Sequence, residues 1–458
     1  MNEDRLAEAI TQQADFICNL KYEDLDQDVK ERAKLILLDS IACMAVGNRQ
    51  YRENNREKGN YCLVGEAPGE KATTIFLNGS AMVKNELDEG NQFAFGHPAC
   101  HIVPAFLAEC QDTDPDGSEA ITALAAAYEV SCRWGSSAYT KAAMHVHGTM
   151  QTVGAAAVSC KLNHCTREET ERAMILANSL PQATTWNSAF HGDQLRNAYI
   201  GLANEVGSNA FRMVRTGIES SIDSLASVWT EVLDGDIDTE GLTRNLGQDY
   251  FITKNYFKVH SACRYTHSFV DMVQKFVSEG LQPEKIGRIE IETYHAAAKL
   301  NGQEARNSFA AKFSIPAALA ICLIYGELSV ESLTDQHLQN PKVKDLAKKI
   351  FVCENQEFNE LLPEIRRNKI RILQNDGREF EKDMTVTKGD YLDPFSKEEV
   401  TEKFRILTKG IWSSERQDAI IKYVEQLEEK ESIRDFFEML GQEIYEEEGL
   451  CWKSKTCM

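Results

Sequence analysis

Arg288-Ile289-Glu290-Ile291-Glu292-Thr293 alternates charged residues with apolar or β-branched ones, the period of a strand that has one face on a core. Ile370 and Ile372 repeat the pattern ahead of the turn pair Asp376-Gly377. Between them Ser314 to Leu323 predicts a helix, so this part of the chain should form an α+β unit. Working outward, the strand-like texture begins after about Lys254 and ends near Gly389-Asp390.

Both flanks carry helical periodicity instead. Upstream, Val29, Ala33, Ile36, Leu37, Ser40 and Met44 recur at three- and four-residue steps through Asp28 to Gly47. Ser118 precedes the Ala-rich run Glu119 to Val130, and Thr166 with Glu169 forms a capping box before a helix through Ala173 to Leu180, closed by Pro181. Downstream, Ser396 with Glu399 supplies a second capping box, and helix should continue through Phe404 to Leu440, with Glu446-Glu447-Glu448 a solvated helix end. The expected architecture is mainly α: a large helical domain from residues 1–253 and 391–458, with a smaller α+β lid domain, 254–390, inserted. A chain of 458 residues is long enough for two domains.

Lys and Arg total 50 against 71 Asp and Glu, a formal charge of −21. A field of that sign opposes nucleic acid and anionic membrane surfaces, so a site for an anionic small molecule needs its own local cations. Met1-Asn2-Glu3-Asp4-Arg5 has acids where a secretory signal is basic, and the apolar run Ile315 to Tyr325 is short and interrupted by Pro316. A soluble, cytoplasmic protein is expected. The 13 cysteines contain no C-x-x-C pair and are expected to be reduced thiols, most of them in the core.

No G-x-G-x-x-G, P-loop, G-x-S-x-G or H-E-x-x-H motif is present. The chemistry must come from local densities of ionisable residues. Glu86-Leu87-Asp88-Glu89-Gly90, followed by His97-Pro98 and His101, could assemble acid and base groups in one loop, or be no more than a capped helix end with solvated acids. Met144-His145-Val146-His147-Gly148-Thr149 leads into the helical run Gly154-Ala155-Ala156-Ala157, so His145 could face a substrate with Gly148 and Thr149 donating hydrogen bonds, or could be structural. His191-Gly192-Asp193 with Arg196-Asn197-Ala198-Tyr199 forms a third group. Lys258, His260, Arg264, Tyr265 and His267 form a basic island in an acidic chain, suited to a small polycarboxylate.

Taken in order, these segments resemble the MmgE/PrpD family of 2-methylcitrate dehydratases, cis-aconitate decarboxylases and iminodisuccinate epimerases. The resemblance runs from Glu31-Arg32-Ala33-Lys34 and Leu38-Asp39-Ser40, through an Asn78-Gly79 to Asp88 helix, His97-Pro98 with Val103-Pro104-Ala105, and His145 before Gly154-Ala155-Ala156. It continues with Lys258 and Cys263-Arg264-Tyr265-Thr266-His267, Lys312-Phe313-Ser314-Ile315-Pro316, Lys388-Gly389-Asp390 and Lys403-Phe404-Arg405. It implies an active site between a helical domain and an α+β lid, a homodimer, and no metal or organic cofactor. The family's catalytic positions would fall on Glu86, Asp88, His97, His145 and Lys258, with Arg196, Tyr199, Arg264, Thr149 and His267 around the substrate. A family lysine before the Gly201 helix is Arg196 here and the neighbouring histidine is Tyr199, so this position should bind a carboxylate instead of moving a proton. The family's Asp-Phe-Asp-Asp arrangement is replaced by Glu86-Leu87-Asp88-Glu89.

The expected reaction is proton transfer next to a carboxylate of a small di- or tricarboxylate, with His145 or Asp88 taking the proton and His97 or Lys258 donating one. Dehydration of a 2-methylcitrate-like hydroxy acid leads, with cis-aconitate decarboxylation and epimerisation of an aspartate-derived dicarboxylate as alternatives. From other classes come a non-catalytic dicarboxylate-binding protein of the same fold and a zinc hydrolase using His145 and His147. An iron-sulfur hydratase is disfavoured by the scattered cysteines.

Overall fold

A computed structural model describes residues 2–51 and 58–442. The architecture is mainly helical, as the periodicity predicts. The Gln27–Asn48 helix buries Val29, Ala33, Ile36, Leu37, Ile41 and Met44, and both predicted capping boxes form. Thr166 Oγ1 accepts from Glu169 N (3.2 Å) while Thr166 N donates to Glu169 Oε2 (2.9 Å), satisfying two amides that the first helical turn would leave unpaired. Glu446-Glu447-Glu448 lies outside the described residues.

Three local expectations shift. The Ala-rich helix spans Gly117–Ser137 and is capped by Asp116, not Ser118, because the Asp116 carboxylate accepts from Glu119 N at 2.8 Å. The helix through Asn78-Gly79 is Lys71–Met82 and stops before the carboxylates. Arg196 falls inside the first turn of the Leu195–Arg215 helix rather than before it.

Two main apolar cores organise the described residues. The larger gathers side chains from Leu6 to Phe257 together with Phe395 to Leu440, so both ends of the chain share one interior: Val400 and Phe404 of the Lys397–Thr408 helix are in the same cluster as Leu37 and Ile41. The smaller joins Ala189 to residues between Ala262 and Ile372. It is built on a four-stranded sheet with the order Ile350–Glu354, Ile286–Thr293, Asn368–Gln374, Glu379–Met384. The first pair is parallel, with Ile289 opposite Ile350, and the other pairs are antiparallel, with Ile289 opposite Ile372.

Ile286, Ile289, Ile291 and Thr293 are buried, while Arg288 is exposed and Glu290 and Glu292 are half-buried, the alternation that the sequence predicts. The parallel pair needs a long crossover, and the connection from Thr293 to Ile350 supplies it through the apolar Ile315–Tyr325 helix. Gly377 takes φ +85° in the turn that joins the last two strands. None of the described helices is long and apolar enough to cross a membrane. All eleven described cysteines are free thiols, nine of them buried.

Candidate active site

A cavity of about 340 Å³ is lined by residues from both cores. Its size suits a small metabolite. Glu86, His97, His145 and Arg196 line one side, and Tyr256, Arg264, Tyr265, Phe313 and Arg366 line the other.

The carboxylate segment follows the Lys71–Met82 helix as a loop, in which Glu86 takes φ +54°. This left-handed conformation costs a non-glycine residue roughly 1–2 kcal/mol, and ion pairs hold it. One Glu86 oxygen contacts Arg196 Nη2, and Oε2 accepts from Lys258 Nζ at 3.1 Å. Lys258 also donates to Asp88 Oδ1 (3.2 Å). Two buried cations thus balance two buried carboxylates. Lys258 itself is fully buried: desolvation works against its charge, but Asp88 and Glu86 outweigh it and hold the ammonium above its ordinary pKa. Desolvation likewise works against an ionised Asp88, but Lys258 and His97 more than offset it and keep the carboxyl well below the usual range.

Asp88 Oδ2 lies 2.8 Å from His97 Nδ1, which also lies 2.7 Å from the Glu89 carbonyl. Both neighbours only accept, so Nδ1 carries the proton and Nε2 is left with its lone pair. His97 on its carboxylate therefore has the arrangement of an oriented general base. His145 has the opposite tautomer. Its Nδ1 accepts from His147 N (3.0 Å), so in the neutral ring Nε2 bears the hydrogen. Burial first, then Arg196, push the His145 pKa well below its ordinary value, so the ring is neutral. Its Nε2 and the Arg196 Nε are buried donors without a partner among the described residues.

Backbone geometry fixes this loop. Thr184 Oγ1 donates to the His145 carbonyl at 2.7 Å, and Gly148 sits at φ +78°, where a β-carbon would come within 2.6 Å of Gln182 Nε2. Gly148 N donates to His101 Nε2 (3.1 Å), while His101 Nδ1 donates to the His97 carbonyl (2.9 Å). Burial lowers His101 to about 4, so this bridge between the two histidine loops is uncharged near neutrality. Lys403, from the C-terminal helices, donates to the Leu87 carbonyl at 2.7 Å and pairs with Asp39 at 2.5 Å.

Not every sequence-predicted residue reaches the cavity. Asp88 and Lys258 are buried behind Glu86 and His97, outside the lining of the cavity. Thr149 turns its hydroxyl to the Val146 carbonyl (2.8 Å) instead of offering it to a ligand. Tyr199 is buried outside the lining, where its carbonyl accepts from Gln182. His267 is also buried outside it, with Nε2 on the Ala262 carbonyl (3.1 Å). Arg264 lines the cavity, but its guanidinium is committed to Asp390 (2.7 Å) and to the Thr387 and Lys388 carbonyls. Among the described residues no three His, Cys, Asp or Glu side chains group to hold a metal ion, which leaves His145 and His147 without a third ligand.

The sequence reading missed Tyr256, Trp186 and Arg366. Tyr256 pairs with Gly90 in a two-residue antiparallel ladder, close enough that a β-carbon on Gly90 would clash with its hydroxyl at 2.4 Å. Its position two residues before Lys258 was a usable signal. Trp186 packs its ring 4.1 Å from that of His145, and nothing in its local sequence announces it.

A cis-aconitate decarboxylase-like protein, oryM, of Aspergillus oryzae is 25% identical, the match covering 94% of this chain and 96% of that protein. A cis-aconitate decarboxylase of Aspergillus terreus is 23% identical, covering 92% of this chain and 94% of its own. The model of the MmgE/PrpD N-terminal domain matches residues 11–232 and that of the C-terminal domain matches residues 260–429, so the chain belongs to the MmgE/PrpD family.

Proposed function

We propose that this protein is a lyase that moves a proton next to a carboxylate of a small di- or tricarboxylate, and that its reaction is dehydration of a 2-methylcitrate-like hydroxy acid. The observation that carries the reading is the pair of opposed tautomers: His97 with a free Nε2 lone pair on an ionised Asp88, facing a cavity shared with neutral His145. His97 Nε2 takes the proton from carbon, Asp88 stabilises the resulting imidazolium, and the carbon–oxygen bond breaks as the alkene forms. His97 then returns the proton to the departing hydroxide as water. His145 Nε2–H and Arg196 Nε–H receive the charge that grows on the carboxylate, as neutral and cationic donors that need no rearrangement. These roles differ from those expected from sequence, where His145 or Asp88 was the base. Fixed donors do the electrostatic work, so turnover should survive chelation and dialysis.

The relatives' names favour a second reading, decarboxylation of cis-aconitate. There His97 must start protonated, to deliver its proton to carbon after carbon dioxide leaves. Proton NMR in deuterium oxide with 2-methylcitrate, citrate, cis-aconitate and aspartate-type dicarboxylates separates the cases. A new vinyl signal without carbon dioxide, at a rate that rises with pH, supports dehydration. A vinyl signal with carbon dioxide, at a rate that falls with rising pH, selects decarboxylation. Loss of an α-proton with no alkene would mean epimerisation, and no change in any compound would overturn the lyase reading in favour of a binding protein.

A further inference from the structure

The cations around the cavity are not equivalent. Arg196 is paired with Glu86, and Arg264 with Asp390 and two carbonyls. Lys141 and Lys299 are exposed at the rim. Arg366, immediately ahead of the Asn368–Gln374 strand, is different. Its side chain has no hydrogen bond or ion pair among the described residues, and its Nη1 is buried without an acceptor. A buried charged donor left unpaired is costly, more so than a neutral one at about 1–3 kcal/mol, so a fold retains it where an anion completes it.

Its surroundings hold the guanidinium in place without neutralising it. The group lies over the Tyr256 ring at 5.6 Å and the Tyr265 ring at 5.4 Å, and Tyr265 is itself braced edge-on by Tyr294 at 5.5 Å. Arg264 sits 5.0 Å over the same Tyr256 ring. The carboxylate nearby, Asp390, is already taken by Arg264 and by Thr387 N (3.2 Å). Two guanidiniums therefore share one carboxylate, leaving one net positive charge at this end. At the other end Arg196 and Lys258 balance Glu86 and Asp88, and neutral His145 adds nothing. Tyr256 stands between the ends, 6.3 Å from the His97 ring. A single-carboxylate ligand at the reacting end would leave the Arg366 charge unmet.

We infer that Arg366 seats a second, non-reacting carboxylate of the substrate and so selects di- and tricarboxylates over monocarboxylates. The inference rests on the lyase reading for the word substrate, and on the cavity alone for the anion seat. Arg366 then supplies the bidentate grip that Arg264, spent on the 387–390 segment, cannot.

The test compares wild type with Arg366→Gln and Arg366→Lys in two assays. For whichever compound of the NMR panel turns over, Arg366→Gln should raise KM about 10- to 100-fold with kcat within a few-fold, the worth of one charge-assisted contact. Arg366→Lys should recover part of it, because a point charge still meets the carboxylate. Thermal-shift titration with tricarballylate, succinate and propionate needs no turnover: wild type should be stabilised by the first two and little by propionate, and Arg366→Gln should lose that preference. An unchanged KM and unchanged tricarballylate response would overturn the seat while the lyase reading stands. Loss of kcat alone with KM unchanged, or no stabilisation of wild type by any of the three anions, would also overturn it. If no panel compound turns over yet tricarballylate discriminates wild type from Arg366→Gln, the lyase reading fails and the anion seat holds.

Discussion

The two sides of the cavity spend charge in opposite ways. On the side of the larger core, Glu86, Asp88, Arg196 and Lys258 neutralise one another and His97 is locked by its carboxylate. On the side of the smaller core, aromatic faces carry Arg264 and Arg366 with one carboxylate between them. The first arrangement fixes proton positions and exact tautomers at the cost of leaving little net charge for recognition. The second leaves a charge available and tolerates imprecise placement, because ring faces are broad. Chemistry belongs where geometry is over-determined, and recognition where charge is left over.

Asp88→Asn strikes the first side hardest. The amide cannot stabilise an imidazolium, and it leaves Lys258 with one carboxylate fewer. kcat should fall about 10³- to 10⁴-fold by stopped-flow or NMR turnover, and stability should drop by about 3 kcal/mol in denaturant melts. A loss under tenfold would mean that the His97–Asp88 pair is not the proton-transfer unit.

Acid should discriminate the sides next. His101 is pushed down from 6.5 to about 4, so its neutral form is favoured by folding. The unfolded chain binds the proton first, so this contribution is complete above pH 6.5 and is lost as pH falls toward 4, about 3 kcal/mol in all. Melting temperature followed across that window should fall, and His101→Gln should flatten the slope. Asp88, whose pKa is lowered, adds its own loss only below about pH 4. An equal slope in wild type and variant would remove His101 from the bridge.

His145→Phe keeps the ring against Trp186 but deletes the Nε2 donor. Turnover should fall about 10²-fold with KM nearly unchanged, since the donor acts on charge present mainly in the transition state. A rise in KM alone would move His145 to the recognition side. Tyr256→Leu probes the other wall by removing the face under both guanidiniums; KM should rise several-fold, roughly 1 kcal/mol, with kcat little affected.

Most of the fold was legible because periodicity reports burial directly. The strand at Ile286–Thr293, the Gln27–Asn48 helix and both capping boxes follow from residue spacing. The site was legible only as a set of names. That Glu86, His97, His145 and Arg196 meet depends on contacts far apart in sequence, such as Lys258 with Glu86 across 172 positions. What spacing could not convey was saturation. Arg264 and Arg366 are the same residue type and share the Tyr256 face, and only the ion pair with Asp390, made by Arg264 alone, tells them apart. Tautomers were hidden for the same reason, since the His147 amide that fixes His145 is a backbone group.

The bond from Lys403 to the Leu87 carbonyl spans 316 positions. A ribosome making this chain has synthesised Glu86, His97, His145 and Lys258 long before Lys403 emerges, and the helix that carries it also packs in one core with Leu37 and Ile41. Nascent chains should therefore hold packed helices but a loose carboxylate loop until synthesis is nearly finished.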